Sequence, residues 1–170
     1  DRLLTGYTTD YFIFFTRSRA AGAVLVSAAA PATAPRYTVT DVSGERTVHD
    51  GTTGLTWQQQ SSTASTDWRG ALAYCANLTW AGETDWRLPD IVELSTLVDD
   101  RRTEAPAINT VYFAGFDAGA GYWSSTTARN APGSAYVLYF NEQNATVGRG
   151  GTGAINKTAG MRSLCVRGGP

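Results

Sequence analysis

The stretch Asp85-Trp86-Arg87-Leu88-Pro89-Asp90-Ile91-Val92-Glu93-Leu94 decides the fold class. Pro89 sets an extended approach, Asp90 and Glu93 stand at capping-box spacing, and Ile91, Leu94 and Leu97 or Val98 form one apolar stripe. A short helix therefore follows Asp90. Upstream, Thr66 or Asp67 can cap a longer helix whose apolar positions Trp68, Ala71, Leu72, Cys75 and Leu78 recur at three and four, ending near Gly82. Ahead of it lie Tyr37 to Thr40, Thr47-Val48 and Leu55 to Gln58, separated by Ser43-Gly44 and Asp50-Gly51, the pattern of an antiparallel meander. Downstream, Ala105 to Gly121 reads as loop. Strand patterns then return at Tyr122 to Ser125, Ala135 to Phe140, Ala145 to Val147 and Met161 to Val166. Two helices among many short strands predict an α+β fold.

The chain has 170 residues, 42% apolar and 11% aromatic, enough for the core of one ordinary domain. Fourteen Lys and Arg face fifteen Asp and Glu, so the net charge is −1 and a general nucleic-acid binder is not expected. The charges are nonetheless unevenly placed. Residues 41 to 104 carry a balance of −6, whereas Arg129, Arg149, Lys157, Arg162 and Arg167 face Glu142 alone after Tyr122, a balance of +4. A basic C-terminal third suits an anionic ligand if its loops share a face; scattered solvated cations are the plain alternative.

Residues 1 to 35 read apart from the rest. Tyr11 to Phe15 is long enough for a strand and too short to span a membrane. Arg17 and Arg19, the alanine-rich run to Ala30 and Pro31 to Ala34 have the order of a secretory signal. A strand at Ala23 to Ser27 followed by an Ala/Pro linker is the preferred reading, with the domain proper spanning residues 36 to 170.

Cys75 and Cys165 are the only cysteines and belong to no metal-binding pattern. A single disulfide of a secreted domain and two separately buried thiols are both open. Catalysis is not expected. His49 is the sole imidazole, no nucleophile elbow surrounds Ser124 and Ser125, and only a pair such as Asp99 and Glu104 could serve a hydrolase. Trp57, Trp86 and Trp123 read as core anchors, and Arg87 as a structural residue pairing with Asp85 or Glu93.

Gly54-Leu55-Thr56-Trp57, the helix with Ala71, Tyr74 and Cys75, Asp85 to Pro89 with Glu93-Leu94, Tyr122 to Ser125, and Arg162 to Arg167 occur in a familiar order and spacing. Together they resemble the Lcl C-terminal domain family over about residues 37 to 168. The resemblance implies a C-type lectin-like fold, two helices on a twisted antiparallel sheet, with a disulfide from the first helix to the last strand. It further implies secreted or cell-surface use and adhesion to glycosaminoglycan-type polysaccharide. The chain departs from calcium-dependent lectins, since it has neither Glu-Pro-Asn, Gln-Pro-Asp nor Trp-Asn-Asp. No cofactor is expected, a structural calcium among Asp99, Asp100, Glu104, Asp117 and Glu142 being the weaker alternative.

Ligand contacts are expected on the loops after Trp123. Asn130, Tyr136, Asn141, Asn144, Arg149, Asn156 and Lys157 offer amide, aromatic and cationic groups, with Gly148 to Gly153 as a flexible loop between them. The expected protein is an extracellular recognition module for polysaccharide or a surface protein. The alternative is an assembly subunit, in which Tyr11 to Phe15 pairs with the sheet edge of another copy.

Overall fold

The computed structural model describes residues 13–14, 27–28, 35–99, 101–102, 105–117, 119–141 and 150–169. Two compact units divide the chain, residues 1–35 and residues 36–170. In the first, β1 (Ile13–Phe14) pairs antiparallel with β2 (Ser27–Ala28). The signal-like order around Arg17 and Arg19 lies outside the described residues, as does most of the expected strand at 23–27, of which only Ser27 is described.

The second unit is α+β, with two helices and two antiparallel sheets. Its first sheet has the order β3 (Tyr37–Val42), β4 (Glu45–Asp50), β5 (Leu55–Gln58) and β9 (Val166–Gly168). The turn between β3 and β4 uses Ser43 and Gly44, both at positive φ, which matches the right-handed twist of a two-residue hairpin. Val48 faces Trp57 across β4 and β5, and both side chains are fully buried.

The second sheet joins β6 (Gly121–Thr127), β7 (Ser134–Tyr139) and β8 (Thr152–Asn156). β6 and β7 are buried on both faces, whereas β8 stays partly exposed along its length, so consecutive residues of β6 and β7 feed two different cores. Tyr122 and Leu138 stand opposite each other and pack with Leu94, Phe113 and Phe140, while the neighbouring pair Trp123 and Val137 packs with Ala71, Trp86 and the cysteines. Burial pushes the Tyr122 hydroxyl up to about 12. It therefore remains a neutral donor to the Asp117 carbonyl at 2.9 Å.

Helix α1 (Trp68–Ala76) begins where the Asp67 carboxylate accepts from Gly70 N at 2.7 Å. It stops at Ala76, six residues short of Gly82. Asn77 leaves the helical conformation, its side chain donates to the Ala73 carbonyl, and Ala81 and Gly82 at positive φ form a turn closed by the Trp80–Glu83 bridge. Helix α2 (Ile91–Ser95) carries the expected capping box on Asp90 and Glu93. Both helices pack on the second sheet.

A disulfide joins Cys75 on α1 to Cys165 just before β9, with S–S 2.07 Å. The C-terminal segment is less regular than its sequence pattern suggests. Met161 and Arg162 form single bridges to Thr66 and Tyr122, and the strand proper starts only at Val166. The expected strand at 145–147 lies outside the described residues. Conversely, Thr152 and Gly153 belong to β8 rather than to a flexible loop, because β7 supplies a complete set of pairing partners.

Candidate functional site

The cationic side chains sort into two groups by their partners. Arg36 binds Asp50, Arg46 binds Asp41, Arg87 binds Glu93, Arg162 binds Asp117, and Arg167 binds both Asp85 and Glu83, all within 3.2 Å. Hydrogen bonds from the arginines hold the Asp41, Asp85 and Glu93 carboxyls below their usual range. Burial alone would raise Asp50, whose side chain is fully covered, but Arg36 and the Thr52 amide outweigh it and lower the net value. These arginines are thus neutralised locally, and two of them, Arg162 and Arg167, come from the third expected to be basic.

Lys157 has no carboxylate partner among the described residues. Its Nζ sits 3.9 Å from the centroid of the Trp68 ring and donates to Thr127 Oγ1 at 2.8 Å. The indole is itself fixed, because Trp68 Nε1 donates to the Ser124 carbonyl on β6 at 2.8 Å. The reciprocal bond from Trp123 Nε1 to the Thr66 carbonyl, 2.9 Å, locks the start of α1 to the same strand. Lys157 N completes the end of the sheet by donating to the Gly133 carbonyl.

Around this end of the sheet runs a groove of about 510 Å³. Asp67, Trp68 and Arg69 from the start of α1 form one wall, and Pro132, Gly133, Asn156 and Lys157 form the other. The exposed Arg69 guanidinium makes no ion pair among the described residues, and neither does Arg129, which lies two residues beyond the Thr127 that Lys157 contacts. Asp67 contributes the single carboxylate among the described residues of the lining, and one of its oxygens is engaged by Gly70 N. Chemically, the groove offers two cations, an indole ring and an amide.

The expected ligand residues divide between opposite ends of the second sheet. Asn156 and Lys157 line the groove, and Asn130 lies in the β6–β7 turn beside it. Tyr136, half-buried in mid-β7, pairs with Ala154, and Asn141 follows β7 at the far end. Asn156 Oδ1 accepts from Thr158 N and Oγ1, which shapes the turn after β8. Asn144 and Arg149 lie outside the described residues, as do Asp100, Glu104 and Glu142. Asp117 is engaged by Arg162, and Asp99 accepts from Arg101 N. Among the described residues no three His, Cys, Asp or Glu gather as a metal-binding group.

Trp57 and Trp123 are fully buried and Trp86 nearly so. Arg87 differs from them. Its side chain is 45% exposed, since the guanidinium keeps contact with solvent while binding Glu93 rather than Asp85. Sequence reasoning missed Arg69 and assigned Trp68 only to the apolar stripe of α1. The order Asp67-Trp68-Arg69 held the available signal, an aromatic and a cation in the first turn of a capped helix.

A family model for the Lcl C-terminal domain matches residues 46–167. The chain belongs to this family. The matched part of the Lcl C-terminal domain starts on β4 and ends on β9, so it includes the disulfide, both helices and every described residue of the groove, and leaves β3 outside. A search of curated proteins found no match.

Proposed function

We propose that this Lcl C-terminal domain is an extracellular, non-catalytic recognition module that binds polysaccharide, anionic glycan in particular, along the groove between α1 and the end of β8. The observation that carries the reading is the pairing of Lys157 with the Trp68 face beside Arg69, with no ion pair to either cation among the described residues. Sulfate or uronate groups would meet the cations, and sugar hydroxyls the Asn156 amide and backbone. An open groove also suits a long chain better than a small enclosed ligand.

The same reading takes the fold as C-type lectin-like. It is supported by the α1-to-C-terminus disulfide, the two helices beside antiparallel sheet and the irregular stretch between α2 and β6. A disulfide fits an oxidising, extracytoplasmic setting. Among the described residues no helix is long and apolar enough to cross a membrane.

Binding of the chain to immobilised heparin, hyaluronan and neutral dextran, at low and high salt, tests the proposal. The expected result is salt-sensitive retention on the anionic polymers that an Arg69→Gln/Lys157→Gln double substitution weakens. Retention unchanged by that substitution would remove the groove from consideration.

An assembly role is the second reading, favoured by one observation. β3 is an edge of the first sheet and exposes Val39 and Val42. Association that rises with concentration and disappears on deletion of residues 1–35 would select it.

A further inference from the structure

A second concavity, of about 230 Å³, lies between the β5–α1 connection and residues 161–165. Its lining differs in kind from the cationic groove. Gln58, Gln60, Ser61, Ser62 and Ser163 supply amides and hydroxyls, Tyr74 and Trp80 supply rings, and among the described residues no charged side chain faces it. Two of the polar groups are deeply buried and have no hydrogen-bond partner among the described residues. Gln58 is 2% exposed with Oε1 unpaired, and Ser163 is 1% exposed with Oγ unpaired. Thr66 Oγ1, also in the lining, is a third such atom, and because buried polar atoms are nearly always paired, three on one small cavity point to a partner that enters it.

The cavity is held in shape from several sides. Ser62 N donates to the Ser163 carbonyl at 2.8 Å, Ser163 N donates to Ser62 Oγ at 2.9 Å, and Thr66 and Met161 exchange backbone bonds. Gln58 Nε2 donates to Tyr74 Oη at 3.3 Å, leaving Oε1 as the free acceptor. Trp80 is fixed by donation from its Nε1 to the Arg46 carbonyl at 3.0 Å. The disulfide ties the two walls together, since Tyr74 adjoins Cys75 and Ser163 lies two residues before Cys165.

We propose that this pocket binds one ring of a neutral polyhydroxylated ligand, a monosaccharide or a single sugar residue of a glycan. An acceptor amide and a hydroxyl match sugar hydroxyls, and aromatic walls match the apolar C–H face of a pyranose. The volume falls below the roughly 300–1,000 Å³ of pockets for drug-sized ligands, and suits a single ring. The described lining carries no charge that would select an anionic group. The site is separate from the anionic reading of the groove and stands or falls without it.

The test is titration of the ¹⁵N-labelled chain with D-glucose, D-galactose, D-mannose and N-acetyl-D-glucosamine, following the Trp80 indole and Gln58 side-chain amide signals. At least one sugar is expected to shift both signals saturably. Ser163→Ala should weaken that binding about fivefold, the loss of one hydrogen bond. Ala64→Trp, placed at an exposed rim position, should abolish it while leaving the buried walls intact, and it decides the matter should Ser163→Ala fail to fold. No saturable shift with any of these sugars, or shifts that persist in Ala64→Trp, would overturn the proposal and leave the pocket filled by water alone. A separate heparin titration of the same labelled chain reads shifts near Lys157, so failure of one site is distinguishable from failure of the other.

Discussion

Arg87 and Glu93 meet through two parallel hydrogen bonds, Nη1 to Oε2 and Nη2 to Oε1, each 2.6 Å long. The same carboxylate accepts from Asp90 N at 2.9 Å and so closes the capping box of α2. Arg87 also exchanges backbone bonds with Val166, and its Nη2 reaches the Gly168 carbonyl. One ion pair therefore connects the start of α2, the segment before it and the last strand.

Removing Glu93 should be felt as a loss of both cap and pair. Glu93→Ala is expected to lower the unfolding free energy by about 2 kcal/mol, less than a buried pair would cost because the guanidinium is half exposed. Glu93→Gln keeps an oxygen for Asp90 N and should cost about half as much. Urea denaturation measures both. A loss in Glu93→Ala smaller than ~0.5 kcal/mol would mean that the pair is ornamental.

Acid should unfold the domain through the same kind of group. Asp50 and Glu93 have lowered folded-state values, so their contribution is present above the ordinary carboxylate range and is lost as pH falls through the folded values. Stability is expected to hold from neutral pH to ~5 and to decline below ~4. Asp50→Asn should flatten the decline, at the cost of leaving Arg36 without its buried partner. Identical acid limbs in urea midpoint against pH, for Asp50→Asn and the parent chain, would contradict this account.

The disulfide spans 90 positions. In the chain-entropy view a crosslink closing so long a loop contributes about 4–5 kcal/mol by constraining the unfolded chain. Replacement of both cysteines by serine should therefore cost about 2–5 kcal/mol and lower the thermal midpoint by many degrees. A thermal midpoint unchanged in the double variant would show that packing around Ala71 and Trp86 suffices without it.

Gly121 opens β6 at a place too crowded for a side chain. A Cβ there would lie 2.8 Å from Val137 Cγ1, Tyr139 Cε1 and Met161 Sδ. Met161 can move, but Val137 and the Tyr139 ring are stiff, so Gly121→Ala should destabilise by about 1–3 kcal/mol. Equal stability of the variant and the parent in guanidinium titration would show that the strand can shift to make room.

Local signals make part of this architecture legible in the sequence itself. The capping box on Asp90 and Glu93, the N-cap at Asp67 and the Ser43-Gly44 turn act over three or four residues, and each appears where its chemistry predicts. Strand β8 was not legible, because Thr-Gly-Ala-Ile-Asn has only two β-branched residues and owes its pairing to β7. Charge was the least legible property of all. Arg162 and Arg167 counted toward a basic C-terminal third, yet their partners Asp117 and Asp85 lie 45 and 82 positions earlier in sequence. Segment sums cannot see such tertiary pairs. The cations that remain near the groove, Lys157 and Arg129, are joined by Arg69 from the acidic half of the chain.

That redistribution has a measurable consequence for salt dependence. If anionic glycan binds in the groove, Lys157 and Arg69 act on it and the ion-paired Arg162 and Arg167 do not. Lys157→Gln should then weaken heparin retention by ~3–10-fold at low salt, where charges reach across about 30 Å, and the difference should vanish near 1 M, where screening confines them to about 3 Å. Because Lys157 and Trp68 are both only half-buried, the change should cost less than ~1 kcal/mol of stability. Arg167→Gln serves as the contrast: it removes one formal charge of the same sign, but frees Asp85 and Glu83, and should leave retention within about twofold of the parent. Salt-titrated elution of the parent and both variants from a heparin column measures the difference. Equal losses in the two variants would mean that the polymer responds to net charge and not to the groove.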